Sequence, residues 1–258
     1  MWPLARVARP RRTSVSRSLF LLLALTLGCS GAANANTVWL PGDVTTNGQG
    51  GWAASTLLGA DFFTVYPASS GFSVTVGLPS PGFFMSFTGP GFVAAYLPAA
   101  GAPGPLDANL GNPTSTSSGV FGGDVLALEL NVDFSDAGFL LGTSGIPFGN
   151  LVLTNFTTLP NLNGLTVRQL LGDANTLLGG GSVTGLTIPD LDPITGDLNS
   201  FILFDLNSSF LGGVPSTFAQ NNLMAPTAVA PTPEPATLLL LGTGLLGVVG
   251  AARRKWLG

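Results

Sequence analysis

Histidine is absent from this 258-residue chain; cysteine occurs once, as Cys29, and lysine once, as Lys255. Cations are scarce and gathered at the ends. Five of the nine basic residues are Arg6, Arg9, Arg11, Arg12 and Arg17, three are Arg253, Arg254 and Lys255, and only Arg168 lies between. From Asn36 to Thr232, twelve acids face that single arginine, a formal charge of −11. These shortages exclude whole classes of chemistry. One arginine cannot displace the counterions that nucleic-acid binding must release. Phosphate cradles fail likewise, and no G-x-x-x-x-G-K run occurs. Zinc, copper and haem lack their usual nitrogen and sulfur ligands. No Ser-His or Cys-His pair can form, which removes ordinary acyl transfer. Without disulfides, stability must come from burial, and about 195 residues suffice for a core.

The two ends explain where the cations went. Met1 to Ser18 carries five arginines and no acid, Leu19 to Leu27 is apolar, and Ala33-Asn34-Ala35 offers small residues in the A-x-A pattern. That order predicts a secretory signal peptide over 1–35, cut after Ala35. Arg11-Arg12 lacks the Phe-Leu that follows a twin-arginine pair, having Ser14 and Val15 instead. Thr26-Leu27-Gly28 is a poor lead-in to lipidation of Cys29.

At the other end, Ala236 to Ala252 is an uncharged run rich in Leu, Val, Ala and Gly, bounded by Pro233-Glu234-Pro235 and by Arg253-Arg254-Lys255. A helix of that length spans roughly 25 Å, enough for a thin hydrocarbon core. The cations beyond it predict a cytoplasmic C-terminus and an exported domain. The order of tripeptide, short apolar helix carrying Gly242 and Gly244, and basic terminus resembles the PEP-CTERM sorting signal of Gram-negative bacteria. The resemblance implies an exosortase, a membrane peptidase that reads Pro233, Glu234 and Pro235 and removes the helix. It implies a membrane-anchored precursor, then residence at the cell surface or in extracellular polysaccharide.

Across the whole chain, glycine and proline make up 56 of 258 residues, too few for a disordered chain. The aromatic and alternating runs Thr37–Leu40, Phe62–Tyr66, Phe72–Val76, Phe83–Phe87 and Phe92–Leu97 read as short strands between Gly and Pro turns. Ala99 to Gly119 reads as a long loop, Val125 to Val132 as a buried helix, and Asn150 to Phe156 as a strand. Thr166 and Gln169 form a capping box ahead of Leu170, Leu171, Ala174, Leu177 and Leu178 at helical spacing. Thr187 and Pro189 open a second amphipathic run through Ile202. The expected fold is α+β: an antiparallel, β-rich first part, helices in the second, and a single C-terminal transmembrane helix at 236–252. The domain is expected to occupy 36–218, with a linker over 219–232. TSSGVFGGDVLALELNVDFS and LNGLTVRQLLGDANTLLGGG resemble stretches of exported bacterial surface proteins, a likeness that implies placement and no mechanism.

Three candidate sites emerge. Asp190, Asp192 and Asp197 place three hard carboxylates within eight residues, a weak calcium candidate lacking the EF-hand Gly and Glu. Asp190 in a first helical turn is equally a helix cap. Asn131, Asp133 and Asp136 form a second such cluster. Trp39 and Trp52, near Asn36, Asn47 and Gln49, are candidates for sugar stacking or for core packing. The expected function is a non-catalytic, exported surface or matrix protein, associated with exopolysaccharide or biofilm, with no cofactor beyond a possible calcium ion. The alternatives are a carboxylate-pair glycoside hydrolase, with Glu129 the one domain glutamate, or a carbohydrate-binding module. Sequencing the exported protein's N-terminus should return Asn36 first; a lipidated Cys29 would overturn that cleavage.

Overall fold

A computed structural model describes residues 37–193 and 201–226. The elements are α1 (Gln49–Ala53), α2 (Thr56–Val65), β1 (Val74–Gly77), β2 (Phe84–Phe87), α3 (Pro90–Tyr96), β3 (Leu110–Gly111) and α4 (Gly119–Asp136). They continue with β4 (Val152–Leu153), α5 (Val167–Leu178), α6 (Ile188–Leu191), α7 (Ile202–Asn207), α8 (Thr217–Asn222) and β5 (Leu223–Met224).

Helix α4 is the centre. Its 18 residues are apolar on nearly every side, and a helix apolar all round must be buried. Phe121, Val125, Leu126, Leu128, Leu130, Val132 and Phe134 have no appreciable exposure. Helices α5 and α7, the turn Phe148–Asn150 and strand β1 pack around it. Gly119 admits the chain to the helix at φ +56°, where an added Cβ would strike the Ala102 carbonyl. Only glycine takes that conformation without strain there.

Strands β1 and β2 pair antiparallel, Val74 opposite Phe87 and Val76 opposite Met85, with β3 parallel to β2. Val74 and Val76 point inward and Thr75 outward, the period expected of a one-faced strand. A second pair, β4 with β5, joins Val152 to Met224 and Leu153 to Leu223. The Trp39 indole N–H donates to the Leu223 carbonyl at 2.9 Å, and Ala225 N–H donates to Thr37 Oγ1 at 2.9 Å. The two ends of the described domain are therefore tied together.

Several expectations need correction. Helices and a few strands make an α+β fold, but the first part is not β-rich. Phe62–Tyr66 belongs to α2 and its C-cap: Ser55 caps it by accepting from Leu58 N–H at 3.2 Å, and Leu58 and Phe62 are buried one turn apart. Helical spacing of that pair outweighs the β-propensity of its aromatics. Phe92–Leu97 is helical through Tyr96 because Pro90 stands at the first helical position and Val93 and Tyr96 share a buried face. Thr37–Leu40 belongs to no strand. The expected strand at Asn150–Phe156 shrinks to β4, while α5 begins on the capping box of Thr166 and Gln169 with both hydrogen bonds formed.

The expected helix from Thr187 to Ile202 ends after one turn, at Leu191. Asp192 takes φ −152° and ψ 87° and precedes Pro193, which disfavours helical geometry before it. Residues 219–226 are not linker: α8 and β5 occupy them, with Ala219 and Leu223 buried. No helix among the described residues is long and apolar enough to cross a membrane. The expected signal peptide and the expected span at 236–252 lie outside the described residues.

Leu130→Ala should cost about 2–5 kcal/mol, as a large-to-small change in a tight core does. Thr166→Ala should cost about 1 kcal/mol by uncapping α5. Urea unfolding of both variants checks the ranking.

Candidate functional site

Glu129, Asp133 and Asp136 occur at intervals of four and three along α4, which puts all three on one face of the helix. That face opens into a cleft of about 520 Å³, walled by Tyr66 at the end of α2, by Ser70 and Ser73, and by Val74 and Thr75 of β1. Each carboxylate has a fixed neighbour. The Tyr66 hydroxyl donates to Asp133 Oδ2 at 2.8 Å. Asn175 of α5 donates through Nδ2 to Glu129 Oε2 at 3.0 Å, while its Oδ1 accepts from Gly77 N–H at 2.7 Å. One asparagine thus ties β1, α4 and α5 together. Arg168 Nη2 donates to both oxygens of Asp136, at 2.8 and 2.7 Å, in a pair open to solvent on both sides.

Burial sets the electrostatics. It pushes Glu129 up to about 7, with the Asp133 charge adding to the push and Asn175 and Arg168 opposing it. Asp133 is raised by burial too, and the Tyr66 hydrogen bond pulls it back. The Tyr66 phenol is raised well above its ordinary value, first by burial and then by the Asp133 charge. The cleft thus sets a glutamate that titrates near neutral pH beside Asp133, which accepts from the Tyr66 hydroxyl. Such a surface accepts hydrogen bonds from hydroxyl or ammonium groups and repels anions.

A second polar cluster runs inside the protein. Asn131 exchanges two hydrogen bonds of 2.8 Å with the backbone of Asn47 and donates to Asn207 Oδ1 at 3.0 Å. Asn207 donates in turn to the Asp124 carbonyl at 3.0 Å. Burial raises the Asp124 carboxyl to about 7, with Gln49 and Asn207 pulling it down and the Asp192 charge pushing it up.

The structure separates the residues grouped as a calcium candidate. Asp190 Oδ2 accepts from both the N–H and the hydroxyl of Thr187, so it caps α6. Asp192 is only 2 % exposed, its Oδ2 has no hydrogen-bond partner, and burial raises it to about 6. Asp197 lies outside the described residues, and these residues contain no group of three side chains arranged to hold a metal ion. Asn131 turns inward, away from Asp133 and Asp136, dividing the second cluster. Trp39 and Trp52 are core residues, Trp52 packed on Phe134 at 4.9 Å, so neither offers a stacking face.

The sequence placed Tyr66 in a strand and passed over Asn175. The spacing of 129, 133 and 136 on a helix was the signal available for the cleft.

The sorting residues Pro233, Glu234, Pro235, Arg253, Arg254 and Lys255, and the cleavage residues Ala33 and Ala35, lie outside the described residues. Comparison speaks to the sorting residues alone: residues 231–255 match the model of the PEP-CTERM protein-sorting motif. The chain carries an exosortase sorting signal. Neither the curated proteins nor the solved structures provide a match to it. A PEP-CTERM motif directs export through a membrane-anchored precursor, with exosortase, a membrane enzyme, as the processing partner. The motif begins just past residue 226, where the described domain stops.

The raised carboxyls carry a testable sign. Asp124 and Glu129 titrate near 4 when unfolded and near 7 when folded, so the folded state binds more protons in between. Their contribution is complete below about pH 4 and is lost as pH climbs through 7, by a few kcal/mol in total. Thermal melting should show greater stability at pH 5 than at pH 8. Asp124→Asn and Glu129→Gln should flatten the profile.

Proposed function

We propose that this protein is a non-catalytic component of the cell surface or extracellular matrix, delivered by its PEP-CTERM tail and resident among exopolysaccharide in a biofilm. The observation that carries the reading is the sorting motif standing behind a cation-poor, acidic folded domain. The cleft supports the non-catalytic part, because each carboxylate is engaged by a structural neighbour: Tyr66, Asn175 or Arg168. An acidic surface also favours solubility in a hydrated matrix.

A glycoside hydrolase is the second reading, favoured by one observation. Glu129, able to hold a proton near neutral pH, and Asp133 stand one helical turn apart in an open cleft. Carbons so spaced on a helix are about 5–6 Å apart, near the carboxyl separation of retaining enzymes. The hydrogen bond from Tyr66 opposes it by occupying the would-be nucleophile.

Two measurements test these readings. Glu234→Ala should leave membrane insertion intact and block release, seen by fractionating cells into membrane and medium with the tail tagged. Release at the wild-type rate and size would make the tail a plain anchor. A panel of polysaccharides should show no hydrolysis by the wild type. Turnover abolished by Glu129→Gln would establish the enzyme instead.

A further inference from the structure

Six phenylalanines stand exposed among the described residues, and three of them, Phe63, Phe72 and Phe92, gather in one place. Phe63 of α2 is 52 % exposed, Phe72 48 % and Phe92 of α3 47 %. Phe63 and Phe72 meet edge to face, with ring centres 6.1 Å apart. Phe63 and Phe92 both flank Gly89, within 4.0 and 3.8 Å of where its Cβ would stand. The three rings therefore form one patch. Contiguous exposed apolar surface of this kind marks interaction sites.

The patch borders the acidic cleft. Phe63 immediately precedes Thr64, and Phe72 lies between Ser70 and Ser73, all three of which line that cleft. An apolar platform thus adjoins a wall of acceptors, Glu129, Asp133 and Asp136. An occupant must offer an apolar face to the rings and donors or positive charge to the carboxylates. A pyranose ring has both: a C–H face that lies on aromatic surface, and substituents at its edge. Charge selects among sugars. Arg168, the one base from Asn36 to Thr232, is engaged by Asp136, so uronic or sulfated sugars would meet carboxylates without a cation to receive them. An ammonium substituent meets charge-assisted acceptors there and attraction from the ring faces.

We propose that this face binds a hexosamine polymer with free amino groups, its sugar faces on Phe63 and Phe72 and an ammonium in the Glu129–Asp133 cleft. The inference rests on the reading of a matrix-resident protein and gives that protein a ligand class.

Isothermal titration of the full chain in detergent, against three oligomers, tests it. The glucosamine hexamer should bind. Its fully N-acetylated counterpart should bind about tenfold more weakly or worse, for loss of the charge-assisted contacts, and a uronate hexamer not at all. Phe63→Ala and Phe72→Ala, both at exposed positions, should weaken glucosamine binding about three- to tenfold each while melting stays unchanged. Glu129→Gln should reduce the preference for the free amine.

Equal affinity for the free and acetylated oligomers would overturn the proposal. So would wild-type binding by the Phe63→Ala/Phe72→Ala double variant, capture by liposomes in place of the hexamer, or no binding of any oligomer. A protein that remains in the matrix yet ignores the hexamer sinks the site alone. One that binds the hexamer while cells hold it only in the membrane supports the site and removes the matrix reading.

Discussion

A helix buried nearly all round, in a chain with almost no cations, must still find partners for the polar groups it carries. Helix α4 holds Asp124, Glu129, Asn131, Asp133 and Ser135 within a few turns. An unpaired buried polar group is costly, and ion pairing is closed to all but one of the chain's domain acids. Neutral partners answer the need. Asn175 serves Glu129, Tyr66 serves Asp133, Asn47 and Asn207 serve Asn131, and Phe148 N–H donates to Ser135 Oγ at 2.9 Å. These bonds reach α4 from α2, α5, α7 and two loops, so satisfying the helix also fixes the register of everything around it. The same substitution of neutral partners for cations leaves Glu129 and Asp124 weakly compensated, which is why both hold protons near neutrality.

How much of this was legible beforehand depended on whether the deciding partner was local in sequence. The capping box at Thr166, the glycine-terminated α5 and the buried stretch within α4 were readable because cap, stripe and stop lie within a dozen residues. The helices α2 and α3 were misread as strands because their aromatics suit a pleated surface and their runs are short. What decided them was Ser55 and Pro90 at their starts and burial of every third or fourth residue. The break after Leu191 was visible in Asp192-Pro193 and was outweighed by the periodicity on either side. The cleft was half legible. Helical spacing aligned its three carboxylates, but the residues that position them come from up to 67 positions away, as Tyr66 does for Asp133.

The chain divides its tasks sharply. Its cations lie almost wholly in the two terminal segments, and its acids between them. The sorting signal is a short local one, readable in order along the sequence and matched directly by a family model at residues 231–255. The cleft, by contrast, is assembled from α2, α4, β1 and the loop before it, and no single stretch of sequence contains it.

The knot between the domain's ends has a mechanical consequence. Among the described residues, a load entering from the C-terminal side meets first the bonds of Ala225 to Thr37, Leu223 to Trp39, and β5 to β4. Those contacts lie at the domain's margin, while α4 and its acidic face stand on other elements. Tension on a tethered molecule would peel this clasp, a few hydrogen bonds at a time, before it strained the helix that shapes the cleft. The clasp would then serve as a mechanical fuse, yielding at the domain's ends while the cleft keeps its shape.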